Sequence, residues 1–172
     1  MRRPFGSAGG FTLFELLVVM LILGLVAGFA VLSLGGGASR QLEHEARRLV
    51  ELAGLTRDES LLTGQTRALG FARHGYAFLE PVYLEDAQMT WVTREQAPLQ
   101  PRSVARLGLE LRLFQEGRRV ALDEDADAAH VEFNGAGELT PFELELRPED
   151  PGTPVLRVTG LRDGRLTWET LR

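Results

Sequence analysis

From Phe11 to Ser39 the chain carries one charged side chain, Glu15, and the run Leu16 to Leu34 holds no strongly polar group. Roughly 20 apolar residues, each adding about 1.5 Å of helical rise, cover the hydrocarbon core of a bilayer, so this run is long enough to span one. Glu15 is the anomaly. A carboxylate at the centre of a membrane helix costs roughly 2.5 to 3.5 kcal/mol, so an acid in such a place needs a partner. Ahead of the run stands MRRPFGSAGG, whose charges are Arg2, Arg3 and the free amine. Positive residues stay on the cytoplasmic side, which predicts an amino terminus facing in and a chain facing out after Leu34.

Three readings compete for this segment. A secretory signal peptide has an apolar region of about 7 to 15 residues, whereas this run is longer, has an acid near its start and continues into more helix. A plain membrane anchor accounts for the length and the arginines but leaves Glu15 unexplained. A leader cut between Gly10 and Phe11 keeps the apolar run and creates a cation, the new amine of Phe11, near Glu15. An ion pair between that carboxylate and its own or a neighbour's amine offsets the desolvation cost, and in a bundle of similar helices it sets axial register.

GGFTLFELLVVMLILG resembles the leader junction of type IV pilins and pseudopilins, which has a glycine before the cut, an aromatic first residue after it and a glutamate fifth in the mature chain. Gly10, Phe11 and Glu15 match residue by residue, and Thr12, Leu13, Leu16 and Leu17 fit the surrounding preference. The resemblance implies that a prepilin peptidase removes residues 1–10 and methylates the Phe11 amine. Many major pilins carry a proline near where Leu32 stands, so its absence leans away from a major pilin. Gly24 and Gly28 form G-x-x-x-G, a spacing that permits close helix packing in lipid, although glycine is also frequent in membrane helices generally. Gly35 to Gly37 cost up to ~1 kcal/mol each relative to alanine, which predicts a weak or hinged stretch.

Beyond it, Leu42, Ala46, Leu49, Val50 and Ala53 recur at helical spacing, with Glu43, Glu45, Arg47, Arg48 and Glu51 assigned mostly to a solvated face. Gly64 is a natural C-terminal cap, so one helix is expected from about Phe11 to Thr63. After Gly64 the period changes to 2. LGLELRLF aligns Leu107, Leu109, Leu111 and Leu113, while FELELR aligns Phe142, Leu144 and Leu146. Further strands are expected near 69–72, 76–79, 89–93, 131–133 and 156–159, with a type I′ hairpin turn at Asp163-Gly164. About eight short strands suggest an antiparallel sheet or sandwich. The fold class is α+β and pilin-like, a long amino-terminal helix packed on that sheet. The expected organisation is a cleaved leader, 1–10; a transmembrane half-helix, 11–38; a periplasmic amphipathic half-helix, 39–64; and a periplasmic β-rich domain, 65–172.

FNGAGELTPFELEL, Phe133 to Leu146, and LLTGQ, Leu61 to Gln65, look like segments of the H-type minor pseudopilins of type II secretion. The middle, Glu80 to Asp127, aligns with nothing. The resemblance implies a structural subunit of a pseudopilus tip, held first in the inner membrane, that takes part in exporting folded proteins across the outer membrane. It also implies minor pseudopilins of the I, J and K types, the major pseudopilin, the prepilin peptidase and inner-membrane lipid as partners. The alternative is a FimT/FimU-like minor pilin of a type IV pilus, with DNA binding in uptake.

A net charge of -5 and a pI near 5.3 argue against nucleic acid as a partner. An arginine patch of Arg157, Arg162, Arg165 and Arg172 is the weak counter-argument. The absence of cysteine removes disulfides and thiolate chemistry. His44, His74 and His130 are too scattered for a metal site. Asp123 to Asp127 lacks the spacing and central glycine of a calcium loop and reads as a solvated acidic loop. Trp91 and Trp168 read as core or sheet-face residues rather than a binding platform. No enzyme, cofactor or metal is expected.

Overall fold

The computed structural model describes residues 13–85 and 88–171, with backbone alone for 26–36. It opens on one helix, α1, Leu13–Thr63. No proline interrupts this segment, and Gly64 ends it at φ +68°, with its N–H donating to the Ser60 carbonyl at 2.9 Å. The expected weak point at Gly35 to Gly37 is not a break, because the backbone stays helical through all three. Glycine lowers helix propagation without removing a hydrogen bond, so good formers on either side carry the helix across.

The chain divides after Gly37 into two compact units. In the first, the described side chains from Leu13 to Leu25 are apolar apart from Glu15 and Gly24, and all but the half-buried Val18 are exposed. In the second, the rest of α1 accompanies ten strands: β1 Arg67–Ala72, β2 Gly75–Tyr83, β3 Met89–Thr93, β4 Arg102–Ser103, β5 Leu109–Gln115, β6 Arg118–Arg119, β7 Val131–Phe133, β8 Phe142–Pro148, β9 Val155–Gly160 and β10 Leu166–Leu171. They form two sheets, β3-β2-β1-β7 with β4 beside β2, and β10-β9-β8-β5-β6. Every pairing is antiparallel.

The alternation read in the sequence sets the second sheet. Leu109, Leu111 and Leu113 of β5 and Phe142, Leu144 and Leu146 of β8 are buried, and the register places Leu111 opposite Leu146 and Leu113 opposite Leu144. These leucines join Leu42, Ala46, Leu49 and Ala53 of α1 and Phe71, Tyr76 and Phe78 of the first sheet in one core. Phe71 and Phe142 connect the sheets directly, with ring centroids 5.9 Å apart. Each fully buried leucine or phenylalanine contributes about 1.5 to 3 kcal/mol.

Four local expectations are corrected. Leu107 belongs to a 3-10 turn, Ala105–Leu107, because Gly108 takes φ +61° and starts the alternation only at Leu109. The type I′ turn is absent at Asp163-Gly164, where only the glycine has positive φ. Leu161 and Gly164 close a turn there, followed by a bulge at Gly164. The type I′ turn falls instead between β5 and β6, where Glu116 and Gly117 lie at φ 52° and 74°. Short strands β4 and β6 have too few residues to show a period. Finally, β2 outruns β1: their pairing stops at Leu79, so Glu80 to Tyr83 pairs with β3 alone as a two-stranded ribbon.

Candidate assembly site

Glu15 stands in the first described turn of α1, where a negative charge complements the positive end of the helix dipole. Around it Leu13, Phe14, Leu16 and Leu17 are exposed, and Met20 is 72 % exposed. A run this apolar and this open requires lipid or other helices against it. A β-carbon on Gly24 would meet nothing within 4 Å, so the position is an open notch on the helix surface. Gly28 has only its backbone described, and Gly10 and Phe11 lie outside the described residues. Among the described residues no helix is long and apolar enough to cross a membrane. The run read as a span continues through 26–36, whose side chains lie outside the description.

On the second unit the helix is fixed to the sheets by charge as well as by packing. Glu45, assigned above to a solvated face, is 1 % exposed. It lies three residues after Leu42 and four before Leu49, which puts it on the buried stripe. The Tyr76 hydroxyl donates to its Oε1 at 2.8 Å, and Arg102 donates through Nε at 3.2 Å and Nη2 at 2.8 Å. Burial first, and then the charge of Glu45, push the Tyr76 phenol far above its ordinary pKa. One turn from the end of α1, Glu59 accepts from Arg94 and, at 3.4 Å, from Arg67. The buried hydroxyls of Thr56 and Ser60 donate back to the carbonyls of Leu52 and Thr56.

The two segments that carried the resemblance in the sheet domain meet in space. A β-carbon on Gly135 would stand 3.0 Å from Gly64 Cα, and one on Gly137 would stand 3.0 Å from Leu61 Cδ2. The β9–β10 loop closes the junction: Arg57 Nη1 donates to the Gly164 carbonyl at 2.8 Å, and a β-carbon on Gly164 would come within 2.5 Å of the Gly137 oxygen. Asn134 Oδ1 accepts the N–H groups of Ala136 and Glu138, shaping the loop that presses on the helix end. LLTGQ and NGAGELTPF therefore form one latch at the carboxyl end of α1.

The remaining candidates are scattered. His74 Nδ1 lies 3.0 Å from the Leu109 carbonyl, while His130 Nδ1 accepts the Phe71 N–H at 3.1 Å. Among the described residues no group of three acids or histidines is placed to hold a metal. The acidic loop lies across β1, where the carbonyls of Ala126 and Ala128 would meet a β-carbon on Gly70 at 2.3 and 2.7 Å. That cover buries one face of β1, at Ala68 and Gly70, while Leu69 and Phe71 face the main core on the other. Trp91 and Trp168 pack half-buried on the first and second sheets. Of the arginine patch, Arg157 pairs with Glu143 and Glu145, Arg165 pairs with Asp163, and Arg172 lies outside the described residues.

Residues 7–31 match the prokaryotic N-terminal methylation motif. The chain is also 32 % identical over 155 residues, 84 % of its length and 86 % of the relative's, to type II secretion system protein H of Pseudomonas aeruginosa. The chain belongs to the type II secretion system protein H family. The H protein of Aeromonas hydrophila is 31 % identical over 166 residues, covering 91 % of this family member and 89 % of that one. The fold of this H-family chain is that of the minor pseudopilin EpsH of Vibrio cholerae, with TM-score 0.57 and 22 % identity over 75 % of this chain and 96 % of EpsH. It is likewise that of E. coli GspH, with TM-score 0.59 and 19 % identity over 80 % and 93 %. Sequence reasoning found the amino-terminal methylation motif and both halves of the latch. It missed Glu45, although its spacing from Leu42 and Leu49 was visible, and it missed Tyr76, Arg102 and Arg57, whose partners are remote in sequence.

Proposed function

We propose that the chain works as a minor pseudopilin, a structural subunit of the type II secretion pseudopilus tip that takes part in exporting folded proteins across the outer membrane. The observation that supports this most is the identity to two H proteins over most of both chains, joined to a methylation motif at the amino end. In this reading a prepilin peptidase cuts between Gly10 and Phe11 and methylates the Phe11 amine. The apolar half-helix, 11–38, holds the subunit in the inner membrane with its amino terminus cytoplasmic, and residues 39–172 lie in the periplasm. Glu15 meets the amine of Phe11, its own or a neighbour's, and sets the axial register as helices bundle, with Gly24 and Gly28 allowing close approach. Minor pseudopilins of the I, J and K types and the major pseudopilin are its neighbours. The names of the relatives favour this reading over a FimT/FimU-like minor pilin.

Two measurements test it. The intact mass of chain purified from membranes should show loss of residues 1–10 and gain of one methyl group; an uncut chain starting at Met1 contradicts the proposed junction. Glu15→Ala should insert in the membrane at least as well as the parent but lose crosslinking to other pseudopilins and lower secretion. Normal secretion and crosslinking in that variant contradict the register role.

A further inference from the structure

We propose that the β2–β3 ribbon is a docking arm for a different protein subunit, one that offers an apolar cleft with a basic rim. The inference rests on the pseudopilus setting proposed above and names a surface and a partner chemistry within it. Past Leu79 the ribbon leaves the sheet, and its outer residues Val82, Tyr83, Met89 and Val92 are exposed. The register puts Leu79, Pro81 and Tyr83 of β2 on the same face as Thr93, Trp91 and Met89 of β3. Trp91 packs half-buried on the small cluster Ala68, Ala77 and Leu79, and from there the stripe runs outward to Met89, 47 % exposed, and Tyr83, 73 % exposed. On the opposite face Val82 and Val92 are also exposed.

A two-stranded ribbon is at best marginally stable alone in water, and tryptophan, tyrosine and methionine are the side chains that anchor protein interfaces. The free edge of β3 reads Met-Thr-Trp-Val-Thr, with none of the charges or prolines that usually protect an edge strand from pairing.

Charge selects the occupant. Glu80, Glu85 and Glu95 rim the ribbon, and Arg94, the residue after β3, is shared between Glu59 and Glu80. The arm therefore carries a negative field. A second copy of this chain would bring the same acidic arm on a body of net charge -5, and an anionic lipid surface would repel it in the same way. An apolar seat edged with lysine or arginine on another subunit satisfies both the stripe and the rim.

The test places the photo-crosslinker p-benzoylphenylalanine at Tyr83 of the full chain, in cells carrying the complete secretion apparatus, and maps adducts by mass spectrometry. A parallel probe at Met20 reports helix bundling independently. The expected Tyr83 adduct joins a second protein that has its own amino-terminal methylation motif, at an apolar segment flanked by lysine or arginine. Glu85→Arg combined with Glu95→Arg should cut its yield at least about tenfold, while the Met20 adduct and the thermal midpoint stay unchanged. If Met20 captures pseudopilins while Tyr83 yields no adduct, a homodimer or lipid alone, the docking arm is overturned and the proposed function stands. A Tyr83 adduct indifferent to charge reversal overturns the basic rim and the proposal with it. If neither probe reaches another pseudopilin, the proposed function fails and takes the arm with it.

Discussion

Glu45 provides the sharpest test of how the helix is held. In Tyr76→Phe the ring stays in the core but the 2.8 Å hydrogen bond to Glu45 Oε1 is lost, while Arg102 keeps both of its bonds to the carboxylate. A hydrogen bond to a charged acceptor is worth about 1.5 to 3 kcal/mol, so a loss of about 2 kcal/mol is expected. In Glu45→Gln the amide still accepts from Tyr76 but turns an NH2 group toward the donors of Arg102. Breaking a fully buried ion pair costs about 3 to 5 kcal/mol; the Arg102 side chain is 38 % exposed and can turn to water, so about 2 to 3 kcal/mol is the working figure. Glu45→Gln also turns the charged acceptor of the Tyr76 bond into a neutral one, so that bond is worth less in its background and the double variant should fall short of additivity by about 1 kcal/mol. Urea unfolding of the full chain in detergent micelles reads this out, with Trp91 reporting from the first sheet and Trp168 from the second. Losses below about 0.5 kcal/mol in both single variants, or strict additivity in the double, would refute the account of a shared buried bond.

Further outcomes follow from other parts of the domain. Burial, ahead of any other cause, holds His130 below its ordinary pKa, and its Nδ1 is occupied as an acceptor from Phe71. The unfolded chain therefore binds this proton first. Stability should be complete above about pH 6.5 and decline as pH falls from there toward the depressed folded value, an effect missing in His130→Asn; an NMR titration of His130 at or above about 6.5 would contradict it. Gly164→Ala adds a β-carbon 2.5 Å from the Gly137 oxygen at φ +82°, and should cost at least about 1 to 2 kcal/mol by thermal unfolding; an unchanged midpoint would count against the latch. Gly70→Ala should push the acidic loop off β1 and raise hydrogen exchange in 123–128, whereas unaltered exchange would mean that the loop does not depend on that close approach.

What the sequence revealed follows the reach of each interaction. Period-2 alternation is local, so β5 and β8 were legible from Leu109, Leu111, Leu113, Phe142, Leu144 and Leu146, and strand β3 was placed at its observed residues. The helix end was legible because Gly64 follows the last turn. Glu45 was misplaced because charge was read as exposure, whereas its burial depends on Tyr76 and Arg102, 31 and 57 residues away. The turn at Asp163-Gly164 was misread because dipeptide preference favoured type I′ there, while Asp163 Oδ1 accepts the Arg165 N–H and supports a different turn. LLTGQ and GELTPF looked like independent matches, and only the packing of Leu61 and Gly64 against Gly137 and Gly135 makes them one junction.

The second sheet wears its ions in pairs: Arg112 beside Glu110, Arg119 near Glu110, Arg157 between Glu143 and Glu145, and Arg147 close to Glu145. Its charges cancel locally, so from a distance that flank is electrically quiet. On the first sheet the acids outnumber their arginines: Glu124 pairs with Arg73 and Glu80 with Arg94, beside Asp123, Asp125 and Asp127 in the loop over β1 and Glu85 and Glu95 along the ribbon. The two flanks thus differ in the field they cast, and a cationic neighbour diffusing nearby is turned toward the first sheet before any atom touches.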